Sequence, residues 1–250
     1  MTQSRALRDV VMSRVRGHAG VSLYGRQVNR RLGGVLAGVA YRRGLRPNQV
    51  TTASGLTSAL AVAVLVLVRP TFASGVAVWF LVALAYALDS ADGQLARLRG
   101  GGTLSGEWFD HVLDAGRMVA LHSGVLVMVY RFYDAGPALV VPLLYVFAAS
   151  VMFAAGTLAE ILLRESRAAR PQAAAAPAVT LRALLLLPLD VGVLGLSFLL
   201  IGHESVFLSV YGTFLALTVL VGTALLVKWF SQLSEVSQNT LRDVASTTTV

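Results

Sequence analysis

Four aspartates, Asp89, Asp92, Asp110 and Asp114, lie in one short stretch between two strongly apolar runs of the chain. At 100° per residue, the first two share one helix face and the last two share a face of the following helix. Two facing carboxylate pairs at a membrane edge would repel each other strongly unless a cation lay between them. Oxygen ligands favour a hard divalent ion such as Mg²⁺ or Mn²⁺, and two such ions could clamp a diphosphate.

The residues around these carboxylates also suit a phosphate ligand. Gly93 and Ala96 are small and lie on or beside the same face, so a nucleotide could approach the helix backbone there. Arg97 adds a positive charge for phosphate oxygens, and Thr103, after a run of three glycines, could supply a hydroxyl. The alternative is that each aspartate caps a helix end in a solvated loop.

The elements that carry these residues are predicted to be membrane-spanning helices. The 250-residue chain is 56% hydrophobic and 14% charged, which is unusual for a soluble domain. Since about 20 apolar residues span a bilayer core, the sequence predicts an all-α integral membrane protein with six transmembrane helices. These spans are expected at 51–69, 73–96, 105–130, 138–163, 181–201 and 206–229, after an amphipathic interfacial helix at 22–46.

The charge distribution predicts topology rather than nucleic-acid binding. The net charge of +8 comes mostly from arginines in the N-terminal arm and in alternate loops, so the positive-inside rule places both termini and the aspartates in the cytoplasm. Ten arginines precede the first long apolar run, which is not the pattern of a cleavable signal. The chain has no cysteine, which excludes thiolate chemistry. The expected segments are an arm and interfacial helix at 1–48, a membrane domain at 49–230 and a cytoplasmic tail at 231–250.

The pattern Asp89-x2-Asp92-Gly93-x2-Ala96-Arg97-x8-Gly106-x3-Asp110-x3-Asp114 resembles the full signature of the CDP-alcohol phosphatidyltransferase family. The stretch "PNQVT" before the first predicted span also matches the layout of that family. The resemblance implies a six-helix fold, usually a homodimer, in the cell membrane, which we expect to be a bacterial inner membrane. It also implies transfer of a phosphatidyl-type group from a CDP-linked donor to an alcohol, with release of CMP.

The resemblance assigns roles to individual residues. All four aspartates would bind the two metals, and Asp114 would also be the general base for the acceptor hydroxyl. A metal-polarised hydroxyl beside that carboxylate is easier to deprotonate, which supports the assignment. Gly106 would allow close helix packing. The implied contacts with the CDP donor are Asn48, Gln49, Val50, Thr51, Gly93, Ala96, Arg97 and Thr103.

The acceptor alcohol is less well specified by the sequence. A phosphorylated polyol would need guanidinium groups, and the candidates are Arg117, Arg164, Arg167, Arg170 and Arg182. Arg117 stands out because an arginine inside an apolar run requires a partner, which is either a ligand or a structural salt bridge. Family members that use inositol phosphate carry a Lys-x-Arg-x-Glu-like cluster near the end of the fourth span, where this chain reads "LAEILLRESR". That difference speaks against inositol phosphate.

Two further polar residues fall within predicted spans. We expect His122 to be a hydrogen-bonded core residue and Asp190 to have a structural role, although Asp190 could also line a substrate cavity. Competing functions are transfer of a CDP-activated headgroup to a lipid alcohol such as diacylglycerol, cation transport, and an inactive scaffold. A transporter would require polar residues along several spans, whereas the carboxylates here lie at one end.

Overall fold

The computed structural model of the chain describes residues 28–164, 166 and 189–248, with side chains up to residue 239. Within these residues the chain is helical, without a strand. The α-helices are α1 Arg30–Arg42, α2 Pro47–Leu67, α3 Phe72–Leu98, α4 Leu104–Phe132, α5 Val140–Leu162, α6 Val191–Gly195 and α7 Glu204–Thr248. A 3₁₀ turn at Gly136–Leu139 precedes α5, and a second at Leu196–Leu200 extends α6.

Five helices are long and apolar enough to cross a membrane: α2, α3, α4, α5 with its 3₁₀ turn, and α7. Many large apolar side chains on their outer faces are exposed, as lipid-facing residues are, so the predicted all-α membrane protein is confirmed. Of the fifth predicted span, the structure describes a shorter apolar segment, Val191–Leu200, and residues 181–188 lie outside the described part. Helix α7 continues past residue 230, so the tail expected from 231 onward is helical as far as Thr248.

Local sequence explains where the helices of the aspartate region begin and end. Pro47 occupies the first turn of α2, where its missing N–H is not needed, and the Arg46 N–H donates to Gln49 Oε1 at 2.8 Å. Thr103 caps α4 by accepting a hydrogen bond from the Gly106 N–H at 3.1 Å. The turn between α3 and α4 uses positive φ angles at Gly100 and Gly101, 99° and 135°, which only glycine adopts readily.

The main core lies between α2, α3, α4, α5, α6 and α7 and contains an aromatic cluster. We call His122, Tyr145, Tyr211 and Thr218 the aromatic cluster. His122 Nδ1 lies 2.6 Å from Tyr211 Oη, its ring stacks on Tyr145 at 4.1 Å between centroids, and Tyr145 Oη lies 3.2 Å from Thr218 Oγ1. His122 is 1% exposed, so its predicted role as a hydrogen-bonded core residue is confirmed.

Asp190 caps α6, since its Oδ1 accepts a hydrogen bond from the Gly192 N–H at 2.8 Å. The structural role expected for this residue is therefore present. The segment that follows lies close to α3, where a Cβ on Gly75 would collide with the Phe198 carbonyl oxygen. A side chain larger than glycine would push these two segments apart.

Helix α1 packs against the half of α3 that bears the first two aspartates. Ala37 and Ala40 are buried with Ala91 and Leu95 of α3 and with Val50 of α2. A Cβ on Gly33 would lie 2.8 Å from the Cβ of Ser90, and Gln94 Nε2 donates to the Arg30 carbonyl at 3.1 Å. The small residues of α1 thus bring it into direct contact with the aspartate-bearing end of α3. Residues 22–27 of the predicted interfacial helix lie outside the described residues.

Candidate active site

The four aspartates of the motif lie together where α3 and α4 approach each other. One carboxylate oxygen from each of Asp89, Asp92 and Asp110 lies within 4.8 Å of the other two. A second group with the same spacing consists of Asp110, His111 and Asp114. Asp110 belongs to both groups, so the two sets of ligand atoms adjoin each other. The facing arrangement expected from helical spacing is present.

Helix α2 supports the carboxylate of Asp92. Thr51 Oγ1 donates to Asp92 Oδ2 at 2.6 Å, and the Gly93 N–H donates to Asp92 Oδ1 at 2.5 Å. Asp92 is only 5% exposed and Thr51 only 3%, so water competes little for this contact. Both oxygens of Asp92 are therefore oriented by the protein before any ligand arrives.

Arg117, one turn beyond Asp114, lies inside the site. Its Nη2 is 2.9 Å from Asp89 Oδ1 and 3.2 Å from Asp114 Oδ1, and it donates to Ser54 Oγ at 3.0 Å. Its guanidinium also lies over the ring of Tyr86, 4.7 Å from the centroid. Of the two roles weighed for Arg117, this geometry favours the structural ion pair over contact with an acceptor.

The donor set fits divalent metal ions. The carboxylates supply hard oxygen ligands, which suit Mg²⁺ or Mn²⁺, and a neighbouring imidazole nitrogen is compatible with Mn²⁺. Asp110 Oδ1 is buried and has no hydrogen-bond partner in the described structure, which is costly unless a ligand satisfies it. Three more carboxylates lie close by, and Arg117 is paired with two of them. A cation would remove both the unsatisfied oxygen and the excess negative charge.

The predicted donor-binding residues divide into an open set and a buried set. A Cβ on Gly93 would meet only Arg97 Nη1, at 3.7 Å, so the face of α3 beside Asp92 is open. Arg97, Asn48, Gln49 and Thr103 are exposed, and Ala96 is partly exposed. Val50 and Thr51 are buried, Val50 in the core under α1 and Thr51 against Asp92. These two residues therefore support the site from within, and the donor contact expected of them stays a prediction.

Gly106 lies where α4 passes the start of α2. A Cβ there would lie 3.1 Å from both Asn48 Oδ1 and Thr103 Oγ1, so glycine lets the two helix starts approach closely. This agrees with the packing role expected for Gly106.

Among the acceptor candidates, Arg164 is exposed and its Nη2 donates to Glu107 Oε1 of α4. Arg167, Arg170 and Arg182 lie outside the described residues.

Four residues near the site were not singled out from the sequence: Ser54, Tyr86, Glu107 and His111. Ser54 lies one turn after Thr51, so an α2 face carrying both hydroxyls was a readable signal. His111 directly follows Asp110, and its Nε2 also lies 4.0 Å from Glu107 Oε1. Tyr86 lies in an apolar run, and its contact with Arg117 depends on tertiary packing that spacing does not reveal.

The chain belongs to the CDP-alcohol phosphatidyltransferase family, whose family model matches residues 45–232. The members of this family are enzymes of phospholipid synthesis, and so this chain is a membrane transferase rather than a transporter. The match begins at the start of α2 and includes every residue of the aspartate motif. A comparison with curated protein sequences gives no significant match.

Solved structures show the same fold. Phosphatidylinositol phosphate synthase of Mycobacterium tuberculosis, crystallised with manganese and citrate, is similar to this chain with a TM-score of 0.51 and 20% identity. That match covers 78% of this chain and 87% of the synthase. The same synthase with CDP-DAG bound gives a TM-score of 0.50 and 19% identity, over 78% of this chain and 91% of the other. At this identity the likeness establishes the fold.

Proposed function

We propose that this enzyme transfers a phosphatidyl group from CDP-diacylglycerol to the hydroxyl of a small polar alcohol or alcohol phosphate, releasing CMP. The observation that carries the proposal is the convergence of two three-residue ligand groups that share Asp110, beside an open helix face at Gly93. The similar synthase of M. tuberculosis has been crystallised with CDP-DAG and with manganese, which supports this choice of donor and metal.

The residues of the site have distinct roles in this proposal. Asp89, Asp92, Asp110 and Asp114 hold two Mg²⁺ or Mn²⁺ ions, and His111 lies beside the second group of ligands. The bound ions supply Lewis-acid stabilisation of the charge that develops on the phosphates. Arg97, Thr103 and Asn48 are exposed around the open face of α3, where they contact the CDP portion of the donor. Ala96 and Gly93 keep that face free of bulk.

Asp114 is the proposed general base. Arg117 holds its Oδ1 at 3.2 Å and so orients the carboxylate. In this proposal the carboxylate of Asp114 accepts the proton of the acceptor hydroxyl. The deprotonated oxygen then forms a bond to the phosphorus that bears the diacylglycerol group, and the bond from that phosphorus to CMP breaks.

For an anionic acceptor, we propose Arg164 as a contact. It is exposed, and its ion pair connects it to Glu107, one turn before Asp110. Arg167 and Arg182 remain predictions. We also propose that the protein is a homodimer of the cell membrane that does not bind nucleic acid. Its termini both lie in the cytoplasm in this proposal, as the arginine distribution predicts.

The test is an incubation of the purified protein with CDP-diacylglycerol, Mn²⁺ and a panel of alcohols and alcohol phosphates. We expect CMP release and a new phospholipid with one class of acceptor, and neither product after chelation of the metal. A parallel reaction supplies CDP-activated headgroups with diacylglycerol. Turnover only in that parallel reaction would reverse the proposed direction of transfer, and an absence of CMP release in both would refute the proposal.

A further inference from the structure

A single nitrogen of Arg117 joins the two helices that carry the aspartates. Its Nη2 reaches Asp89 on α3 at 2.9 Å and Asp114 on α4 at 3.2 Å, and it also donates to Ser54 on α2 at 3.0 Å. The side chain is 3% exposed, and the Tyr86 ring lies against its guanidinium at 4.7 Å. Three helices and one aromatic ring therefore enclose this charge.

We propose that Arg117 is a positioning residue, an internal counter-ion that holds Asp89 and Asp114 at their working separation and compensates their charge when metal is absent. The proposal rests on the proposed function, because it presumes that these carboxylates are metal ligands and that Asp114 is the base. Arg117 contacts the Oδ1 of each aspartate. A short, charge-assisted contact of this kind fixes the orientation of both groups.

The burial of Arg117 argues against a direct contact with substrate. Its Nη2, the nitrogen that carries the described contacts, is already engaged by Asp89, Asp114 and Ser54, and the Tyr86 ring lies over one face of the group. With 3% of the side chain exposed, an acceptor phosphate in solvent has little direct access to the group. The positive charge of Arg117 is therefore paired within the protein, with the carboxylates of Asp89 and Asp114.

The position of Arg117 also reduces the electrostatic repulsion among the four carboxylates. Without a cation, four carboxylates converging in a partly buried site would repel each other, and the metal-free fold would be strained at this end. One guanidinium between two of them reduces that repulsion. Arginine suits the position better than lysine because its charge is permanent and its planar group donates in fixed directions.

The test compares Arg117→Met with Arg131→Met, a matched removal of an arginine from the far end of the same helix. Arg131 is exposed and donates to the Val66 carbonyl. In chelator, we expect Arg117→Met to unfold at a clearly lower temperature than Arg131→Met, and MnCl₂ should recover most of the difference. If Arg117→Met lowers the unfolding temperature by the same amount with and without Mn²⁺, Arg117 forms an ordinary structural salt bridge and the proposal is overturned. This measurement needs no turnover, so it stands even if the assignment of CDP-diacylglycerol fails.

Kinetics provide the second measurement. At saturating Mn²⁺, Arg117→Met should lower kcat about 10–100-fold, the usual effect of losing a group that orients a metal ligand, with little change in the KM of the acceptor. Arg117→Lys should restore part of both kcat and metal-free stability, which keeps the test usable if the methionine variant does not fold. A raised acceptor KM with unchanged kcat would instead assign Arg117 to substrate binding and overturn the positioning role.

Discussion

Helix α4 carries two buried polar regions that are built in different ways. At its first half, Asp110, Asp114 and Arg117 face the carboxylates of α3. Further along, His122 joins Tyr145 and Tyr211 in the aromatic cluster. Both regions place polar atoms inside an apolar bundle, where unpaired groups are costly.

The two regions differ in whether the protein satisfies its own polar groups. In the aromatic cluster, neutral groups pair with one another, His122 Nδ1 with Tyr211 Oη and Tyr145 Oη with Thr218 Oγ1. In the aspartate region, like charges converge and Asp110 Oδ1 lacks a partner. A region whose buried polar groups are paired with one another stabilises the fold. A region in which like charges converge and a carboxylate oxygen is unpaired indicates a bound cation. Substitutions should therefore affect stability in one region and chemistry in the other.

The largest effect is expected from Asp114→Asn. The amide cannot accept the proton, so CMP release should fall by roughly 10²–10⁴-fold, the usual contribution of a general base. Binding of CDP-diacylglycerol should remain measurable by calorimetry, because the other carboxylates are retained. Asp134→Asn, an exposed position after the end of α4, is the matched control. Near-normal turnover in Asp114→Asn would contradict the role of Asp114 as general base, and with it the chemical role of the aspartate region.

The next effect concerns Asp110, which is shared by both ligand groups. Asp110→Asn should weaken Mn²⁺ binding, measured by electron paramagnetic resonance, by more than the 10–100-fold that loss of a supporting residue causes. Asp92→Asn should weaken it less, since Asp92 belongs to one group only. An equal effect at both positions would contradict the shared role of Asp110.

Thr51→Val should have a smaller effect. It keeps the side-chain volume but removes the 2.6 Å hydrogen bond that orients Asp92. We expect a 10–100-fold loss in Mn²⁺ affinity or CMP release. Thr57→Val is the control on the same helix, because it loses only a hydrogen bond to the Ala53 carbonyl. If both variants change Mn²⁺ affinity and CMP release equally, the Thr51 hydroxyl stabilises the helix and does not orient Asp92.

The smallest effect on chemistry is expected from Tyr211→Phe in the aromatic cluster. It leaves His122 Nδ1 buried without its partner, which should reduce the free energy of unfolding by about 1–3 kcal/mol. CMP release per folded molecule should stay unchanged. Tyr130→Phe, at a 72% exposed position on α4, controls for the loss of a hydroxyl. A drop in turnover with unaltered stability would mean that the aromatic cluster takes part in the reaction.

The convergence of the aspartates could be predicted from helical spacing together with the short turn between the two helices. Residues three or four apart share a face, and a glycine turn between α3 and α4 brings the two faces together. The apolar runs likewise predicted the five long helices to within a few residues at most ends. The chief exception is α7, where the polar sequence after residue 230 continues the helix to Thr248.

The partners of Arg117 and Thr51 could not be predicted in the same way. The sequence indicates that an arginine in an apolar run needs a partner, but which carboxylate it meets depends on how α2, α3 and α4 pack. The sequence likewise did not reveal that Thr51 is buried and donates a hydrogen bond to Asp92. Tertiary packing decides such contacts, and spacing along one helix carries no information about it.

The contact between α1 and α3 has a bearing on how this enzyme is handled outside its membrane. Ser90, which touches Gly33 of α1, lies between Asp89 and Asp92. A detergent that strips α1 from α3 would disturb the carboxylates before the span bundle comes apart. Extracts in harsh, short-chain detergent should therefore lose turnover while their helical circular dichroism persists, and reconstitution into lipid nanodiscs should bring the turnover back.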